Sequence, residues 1–211
     1  SMPRGLLNAK GQVDHANFDA GYVDPRSGED YSEAICRGHT FHLLERFQEE
    51  GRMIYLASHP GLREGRFVVG EETLGFEDLL SCRPVPNAII QAAAFHDSHS
   101  KDFAFEGDLA QIWVTVCGFF ARQTLGLVPF GAIVPKGTEG LLVAGRCISL
   151  DHDSASTMRM QRDMQNLGEA AGLAAALAIE DGCNAQAVPY EKLQPKLLAS
   201  GCLREKPRVL K

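Results

Sequence analysis

The last third of the chain places the tightest limit on the fold. Residues 140–145 (GLLVAG) form an apolar run bounded by glycines, and a polar stretch follows up to residue 157. A helical pattern then extends from about Met158 or Met160 to Ile179. A short apolar run of this kind is typical of a strand buried in a parallel sheet. A buried strand that leads into a helix predicts an α/β unit, in which ligands bind beside the carboxyl end of the strand.

Small residues recur along one face of the predicted long helix. Gly168, Gly172 and Ala176 follow each other at intervals of four, so they lie on one side of the helix. Glycine inside a helix costs about 1 kcal/mol relative to alanine. We therefore expect the backbone of this face to approach a sheet or a flat ligand closely. The spacing alone leaves two interpretations open: a plain α/β crossover with a polar connection, or a cofactor site.

Polar side chains crowd the connection between the predicted strand and the long helix. The exposed N–H groups at the start of a helix, together with its dipole, favour an anion or an electron-rich carbonyl there. We expect five side chains in this connection to donate hydrogen bonds to a polar cofactor: Ser149, Ser154, Ser156, Thr157 and Arg159.

The remaining patterns predict further helices and strands, and therefore a mixed α/β fold with a β-sheet and flanking helices. Helices are expected at residues 32–50, with Ser32 as the N-cap, and at residues 76–80 and 191–199. Strands are expected at residues 65–70, 88–95 and 111–119. Residues 146–157 are expected to be irregular.

Charge and cysteine spacing limit the class of protein. The formal net charge of −6 argues against a broad surface for nucleic acid or anionic membranes, and the longest apolar stretch is too short to span a bilayer. No two of the six cysteines are closer than 19 positions, which excludes a C-x-x-C redox or zinc pattern and favours free thiols in a reducing compartment. We therefore expect a cytoplasmic protein without a nucleic-acid or membrane partner, and we expect no metal site.

Several stretches, in order along the chain, resemble the FAD-dependent oxidoreductase family, whose distant relatives include fumarate reductase and succinate dehydrogenase. Residues 61–70 (GLREGRFVVG) resemble its G-I-R-E-[ST]-R-R-[IV]-x-G stretch, and residues 97–99 (DSH) resemble its D-x-H element. Residues 128–129 (VP) and 133–136 (IVPK) match its next two elements. Residues 141–149 (LLVAGRCIS), Arg159 and residues 167–178 (LGEAAGLAAALA) resemble its C-terminal signature. The sequence departs from the family pattern at Gly65, Phe67, Phe130, Gly131 and Glu169.

The resemblance implies an FAD cofactor and hydride transfer between a small-molecule substrate and the flavin. It places Gly145, Arg146, Arg159 and Gly168 beside the cofactor. It places His99 on the substrate side, as a proton donor or as a clamp on a carboxylate. Arg63 and Arg66 would bind an anionic group of the substrate.

No G-x-G-x-x-G motif for the FAD pyrophosphate occurs in these 211 residues. The chain thus resembles a C-terminal half that lacks the N-terminal Rossmann unit. Residues 3–138 would form a substrate or cap-like region, and residues 139–211 the C-terminal part of the FAD-binding region. We expect weak FAD binding or none by this chain alone, and a partner that is either an N-terminal half or a second copy.

Two alternatives to a redox enzyme fragment remain open at this point. The chain could be a non-catalytic binding or assembly module, in which the face of Gly168, Gly172 and Ala176 meets a partner chain. More remotely, two clusters could serve metal-dependent hydrolysis: His96, Asp97 and His99, and Asp151, His152 and Asp153. The two clusters lie far apart in sequence and give no ligand geometry by themselves.

Overall fold

A computed structural model of the protein describes residues 23–24, 26–41, 61, 63–81, 83–97, 108–117 and 123–205. The chain divides into two units. The first comprises Ser1–Leu62 and His99–Phe105, and the second comprises Arg63–Ser98 and Glu106–Lys211.

Most of the described residues of the first unit form helix α1 (Gly28–His39). It begins four residues before the predicted start, because Ser27 rather than Ser32 is the N-cap. The Ser27 hydroxyl accepts the Asp30 N–H at 3.2 Å, and Glu29 and Asp30 lie in the first turn, where the helix dipole favours acidic groups. Ser32 lies inside the helix and donates to the Gly28 carbonyl. The predicted extension through residues 42–50 lies outside the described residues.

The second unit combines helices with a small sheet, which agrees with the predicted mixed α/β class. Strands β1 (Ala88–Phe95) and β2 (Gln123–Pro129) pair antiparallel, with Gln91 opposite Leu127. The helices are α2 (Phe76–Ser81), α3 (Asp108–Cys117), α4 (His152–Met158), α5 (Gln161–Asp181) and α6 (Tyr190–Ser200). Single 3₁₀ turns span Phe130–Ile133 and Ala185–Ala187.

The predictions for α2, β1, α5 and α6 are confirmed to within a few residues. Helix α5 ends at Gly182, whose φ of 63° gives the left-handed conformation expected of a helix terminator. Helix α6 ends in the same way at Gly201.

The strand predicted at residues 111–119 is wrong, because residues 108–117 form α3. This stretch is apolar at nearly every position. Such a run gives no periodicity that separates a strand from a helix. Its ten-residue length and the acidic Asp108 in the first turn both suit a helix.

The strands predicted at residues 140–145 and 65–70 are also wrong. Gly140 and Gly145 both have positive φ, 71° and 110°, so the chain bends at each end of the apolar run. At residues 65–70, a single bridge joins Gly70 to Pro135. Pro135 has no N–H with which to continue a ladder of hydrogen bonds. The neighbouring backbone hydrogen bonds are therefore isolated ones, such as that from the Lys136 N–H to the Val69 carbonyl. Within the described residues the sheet is therefore the antiparallel β1–β2 pair, not a parallel one.

The segment expected to be irregular, residues 146–157, contains helix α4. Asp151 is its N-cap and accepts the Ser154 N–H through Oδ1 at 2.7 Å. The other oxygen of the same carboxylate accepts the N–H of Phe76, the first residue of α2, at 2.9 Å.

The core of the second unit lies between α5, β1 and α6. Ile89, Ile90 and Leu193 are among its fully buried side chains. Helix α5 buries one face in it: Leu167, Ala170, Ala171, Ala174, Leu177 and Ala178. The opposite face, with Gly168, Gly172, Ala175 and Ala176, is exposed, and Ile179 at its end is 83% exposed. The described helices include none with the length and apolar character of a membrane span.

Candidate functional site

Five charged or titratable side chains gather around α4, and we refer to them as the charged cluster: Arg63, Glu64, Asp97, His152 and Arg159. Arg63 and Glu64 come from the segment before Val68, and Asp97 follows β1. His152 and Arg159 lie at the two ends of α4, as its first residue and its C-cap.

Asp97 is shared by two guanidinium groups. Its Oδ2 lies 3.3 Å from Arg63 Nη1 and 3.4 Å from Arg159 Nη2. Arg159 also donates to the Asp97 main-chain carbonyl, and the Asp97 N–H donates to the Ser156 carbonyl at 3.2 Å. Asp97 is therefore fixed to α4 by its backbone and bridges the two arginines through its carboxylate.

Arg159 is the most deeply placed cation of the charged cluster, with 11% of its side chain exposed. Burial lowers the pKa of Arg159 from the ordinary arginine value, and the nearby positive charge of Arg63 lowers it further. The carboxylates of Asp97 and Glu64 act in the opposite direction. The buried guanidinium is thus stabilised by the two carboxylates around it.

Glu64 pairs with a histidine rather than with an arginine. Its Oε2 lies 2.7 Å from His152 Nδ1, and both side chains are partly exposed. The contact is an ion pair when the imidazole carries a proton, and otherwise a hydrogen bond from Nδ1–H.

Helix α5 starts directly after the charged cluster, with Met160 as its N-cap and no side-chain capping bond. The first N–H groups of an α-helix have no acceptor four residues earlier within the helix, and here the Asp163 N–H donates to the Met160 carbonyl at 3.0 Å. Asp163 in the first turn is 2% exposed and contacts Arg162 Nε through Oδ1 at 3.3 Å. Within the described part of the chain its Oδ2 has no hydrogen-bond partner, and burial raises its pKa above the ordinary aspartate value.

The predicted arginines divide between the charged cluster and the surface. Arg63 belongs to the cluster, and Arg146 Nη1 reaches the Arg63 carbonyl at 3.4 Å. Arg66 is exposed, and none of the ion pairs among the described residues includes it. His99 lies outside the described residues.

The four predicted hydroxyl donors are buried, and the Ser154 hydroxyl donates to the Leu74 carbonyl at 2.8 Å. Ser149 Oγ lies 2.8 Å from Thr73 Oγ1, and Thr157 Oγ1 lies 3.3 Å from Nδ1 of the buried His96. Ser156 is 3% exposed. A cofactor role for these side chains stays a prediction, and the contacts of Ser149 and Thr157 are with neighbouring side chains.

The two predicted cofactor glycines border open space. Gly145 forms a tight turn in which the Ile148 N–H donates to the Gly145 carbonyl at 3.4 Å. A Cβ placed on Gly145 or on Gly168 would meet no atom within 4 Å. The exposed face of α5 is therefore not in close contact with the sheet, contrary to one expectation from its spacing.

Sequence reasoning missed the shared role of Asp97 and the pairing of Glu64 with His152. Both acidic residues lie within recognised motif stretches, but their partners are 34 to 88 positions away in the chain. Only the fold brings these residues together. Asp163 carried no sequence signal, because an acidic residue in a first helical turn is usually exposed.

A separate open cleft of about 600 Å³ lies on the second unit and includes Glu71, Glu72, Asn87, Phe130 and Glu139 in its lining. It contains none of the predicted site residues. Among the residues that the structure describes, no three histidine, cysteine or acidic side chains come together as metal ligands do.

No curated protein and no solved structure matches the chain significantly. A family model described as FAD dependent oxidoreductase matches residues 11–197, which is most of the chain. The protein therefore belongs to the FAD-dependent oxidoreductase family.

Proposed function

We propose that this chain supplies the flavin-capping and substrate-binding part of an FAD-dependent oxidoreductase that transfers a hydride between a small-molecule substrate and the flavin. One observation carries the proposal. In a chain of this family, the buried guanidinium of Arg159 stands directly before the uncapped N-terminus of α5.

The donors at this junction fit the flavin end of FAD. The positive end of the α5 dipole and the guanidinium of Arg159 suit electron-rich carbonyl oxygens such as those of an isoalloxazine ring. The open space at Gly145 and Gly168 allows a ligand to approach the backbone. Both features support binding of the ring end of the cofactor.

For the adenine and pyrophosphate end of FAD, the sequence provides no comparable binding motif. The sequence has no glycine-rich phosphate loop, and each charge-assisted hydrogen bond lost costs about 1.5–3 kcal/mol. The chain alone therefore binds FAD weakly or not at all. The remaining contacts come from a partner, either an N-terminal half or a second copy of the chain.

The substrate is a small molecule with an anionic group. Bound FAD supplies the acceptor or donor of the hydride. Arg63, Arg146 and Arg159 bring three guanidinium groups near the carboxylates of Glu64 and Asp97, and a guanidinium group can bind a carboxylate or phosphate through two parallel hydrogen bonds. Arg66 on the same segment provides a further guanidinium, and His99 exchanges the proton that accompanies the hydride.

A titration of the purified chain with FAD tests the cofactor part of this proposal. We expect weak but saturable quenching of flavin fluorescence, and about tenfold weaker binding for Arg159→Gln, since a charge-assisted hydrogen bond is lost. Arg83→Gln is the matched control, because Arg83 pairs with Asp78 on the surface. Equal FAD affinity of the two variants, or tight FAD binding by the chain alone, contradicts the proposal.

The compartment is part of the same proposal. Cys36, Cys147, Cys183 and Cys202 are free thiols, which supports a reducing, cytoplasmic location. An expressed protein fused to a fluorescent tag would report the location directly by microscopy.

A second candidate function is a non-catalytic assembly module. The exposed face of α5, with Gly168, Gly172, Ala176 and the apolar Ile179, favours it, because small residues allow close approach of a partner chain. Sedimentation at increasing concentration tests it. A strict monomer at high concentration excludes self-association through this face.

A further inference from the structure

The carboxylate of Asp163 is buried with one of its two oxygens unsatisfied. Asp163 is the third residue of α5, a helix of 21 residues, and its side chain is 2% exposed. Its Oδ1 contacts Arg162 Nε at 3.3 Å. Its Oδ2 has no hydrogen-bond partner within the described residues. Buried polar atoms without a partner are rare in folded proteins, and a bound molecule or a functional role is a common explanation for one.

Packing of α5 does not account for a carboxylate at this position. Asp163 lies on the same face of the helix as Leu167, Ala170 and Ala174, which are all buried. An apolar side chain at residue 163 would continue this packed face. Burial instead opposes ionisation of the carboxyl group and raises its pKa. Asp163 therefore lowers the stability of the ligand-free chain, and its role is to be found elsewhere.

The carboxylate lies at the end of α5 where the proposed flavin site begins. Gln161 is exposed, and the side chain of Arg162, which contacts the carboxylate, is 57% exposed. Asp163 is thus buried beneath the surface of the first turn. It follows Arg159, the guanidinium of the proposed flavin site, by four positions. The unsatisfied oxygen and the proposed cofactor donors therefore belong to the same junction of α4 and α5.

The ring end of FAD carries the hydrogen-bond donor that this oxygen lacks. The pyrimidine edge of the isoalloxazine ring presents two carbonyl oxygens, with the N3–H group between them. Arg159 and the positive end of α5 suit the carbonyl oxygens, but a guanidinium group has no acceptor for an N–H. An ionised carboxylate is an acceptor only. Asp163 together with Arg159 therefore offers both kinds of partner that this edge requires.

The charge of Asp163 favours the ring over the pyrophosphate of the cofactor. A carboxylate repels a phosphate group but has no such effect on a neutral ring. The positive end of α5 and the guanidinium of Arg162 both favour the ionised form of Asp163. A hydrogen bond from an N–H donor favours that form further. The ligand group that fits this carboxylate is thus a neutral ring with an N–H.

We propose that Asp163 is a specificity-determining residue of the flavin site, whose buried carboxylate accepts a hydrogen bond from N3–H of the isoalloxazine ring. This inference rests on the proposed function, because it requires the ring to bind at the start of α5. Binding of the ring gives the carboxylate its missing partner. The same side chain thus lowers the stability of the ligand-free chain and raises its selectivity for a ring with a free N3–H.

Riboflavin and N3-methylriboflavin are suitable probes, because both lack the adenine and pyrophosphate of FAD and only riboflavin has the N3–H. Their binding to the purified chain is measured by quenching of flavin fluorescence at about pH 7. We expect the wild type to bind the methylated flavin about tenfold more weakly, since a charge-assisted hydrogen bond is lost. Equal affinity for the two flavins, or no saturable quenching by riboflavin, overturns the inference.

Asp163→Asn keeps the shape of the side chain and removes its charge. We expect it to bind riboflavin about fivefold more weakly than the wild type, because a neutral hydrogen bond is roughly half as strong as a charge-assisted one. Its preference for riboflavin over the methylated flavin should fall to about twofold. A purely structural role of Asp163 would leave this preference unchanged, and an unchanged preference overturns the inference.

Asp181→Asn is the matched control on the same helix, because Asp181 pairs with Lys192 at 2.7 Å, far from the start of α5. It should keep the wild-type affinity for both flavins. Urea unfolding of the same proteins excludes a loss of fold as the cause of weaker binding. Asp163→Asn should be more stable than the wild type while it binds riboflavin less well.

The FAD titration of Arg159→Gln separates this inference from the proposed function. If Arg159→Gln weakens FAD binding and Asp163→Asn leaves riboflavin binding unchanged, the proposed function stands and the role of Asp163 is wrong. If Arg159→Gln binds FAD as well as the Arg83→Gln control does, the proposed site is wrong, and the inference fails with it.

Discussion

The two ends of α5 contact different environments. Its middle and C-terminal parts pack against β1 and α6 through side chains such as Leu167, which is fully buried. Its N-terminal end follows the charged cluster, where Asp97 and Arg159 are held by ion pairs and hydrogen bonds. Apolar packing is nearly insensitive to pH and salt, whereas charged contacts depend on both. The packed region fixes the helix, and the charged region is the part for which we propose ligand binding.

The largest effect is expected in the packed region. Leu167→Ala should lower the free energy of unfolding by about 2–5 kcal/mol, because it leaves a cavity beneath α5. Urea unfolding measures this loss, which should be the same at low and high salt. A loss below about 1 kcal/mol would mean that the site collapses readily and that the core is less tightly packed than described.

In the charged cluster we expect a smaller, salt-dependent effect. Asp97→Ala leaves Arg63 and the buried Arg159 without their shared carboxylate, which should cost about 1–3 kcal/mol. Added salt should reduce this cost because it screens the repulsion between the two guanidinium groups. Urea unfolding at two salt concentrations provides the measurement. If the cost does not depend on salt, Asp97 stabilises the protein by packing, as the residues of the packed region do, and not by its charge.

Asp163 lies between the two regions, and its removal should stabilise the protein. Burial raises its folded pKa above the unfolded value, so its ionisation opposes folding as pH rises through the folded pKa. Desolvation costs about 1–3 kcal/mol, which exceeds the roughly 0.3–1 kcal/mol gained from the helix dipole. Asp163→Asn should therefore raise stability by about 1 kcal/mol at about pH 7. At about pH 3, where both states of the wild type bind the proton, the gain should vanish.

The smallest effect is expected on the exposed face of α5. Gly172→Ala should stabilise the protein by about 0.5–1 kcal/mol, because its Cβ would meet no atom within 4 Å and alanine favours the helix. Gly126→Ala is the contrasting control. Its Cβ would lie 2.8 Å from Leu79 Cδ2 and 3.0 Å from Met158 Sδ, so it should destabilise. Thermal unfolding measures both. Destabilisation by Gly172→Ala would show that this face is packed in solution.

The sequence was sufficient for the elements whose signals are local. The pattern of α5 and its stop at Gly182 predicted the helix, and apolar residues at 88–95 predicted β1. The sequence was insufficient where a buried strand and a bent loop can have the same amino-acid composition. The apolar run at residues 140–145 could not be distinguished from a buried strand, because the positive φ values of Gly140 and Gly145 have no sequence signature beyond glycine itself.

The same distinction applies to the site. Family motifs drew attention to Arg63 and Arg159, and the fold places them on the same carboxylate. The pairing of Glu64 with His152 spans 88 positions and involves no repeated spacing, so no local rule could indicate it. Contacts between side chains from distant segments depend on the packing of the intervening chain.

Asp151 links two helices that are far apart in sequence. One oxygen of its carboxylate caps α4, and the other receives the first N–H of α2, 75 positions earlier in the chain. The start of α2 is therefore complete only after the chain has folded back and α4 has formed beside it. Synthesis of this pair of helices from the N-terminus leaves α2 without its terminal acceptor until Asp151 emerges. The two helices are expected to become ordered together rather than in sequence.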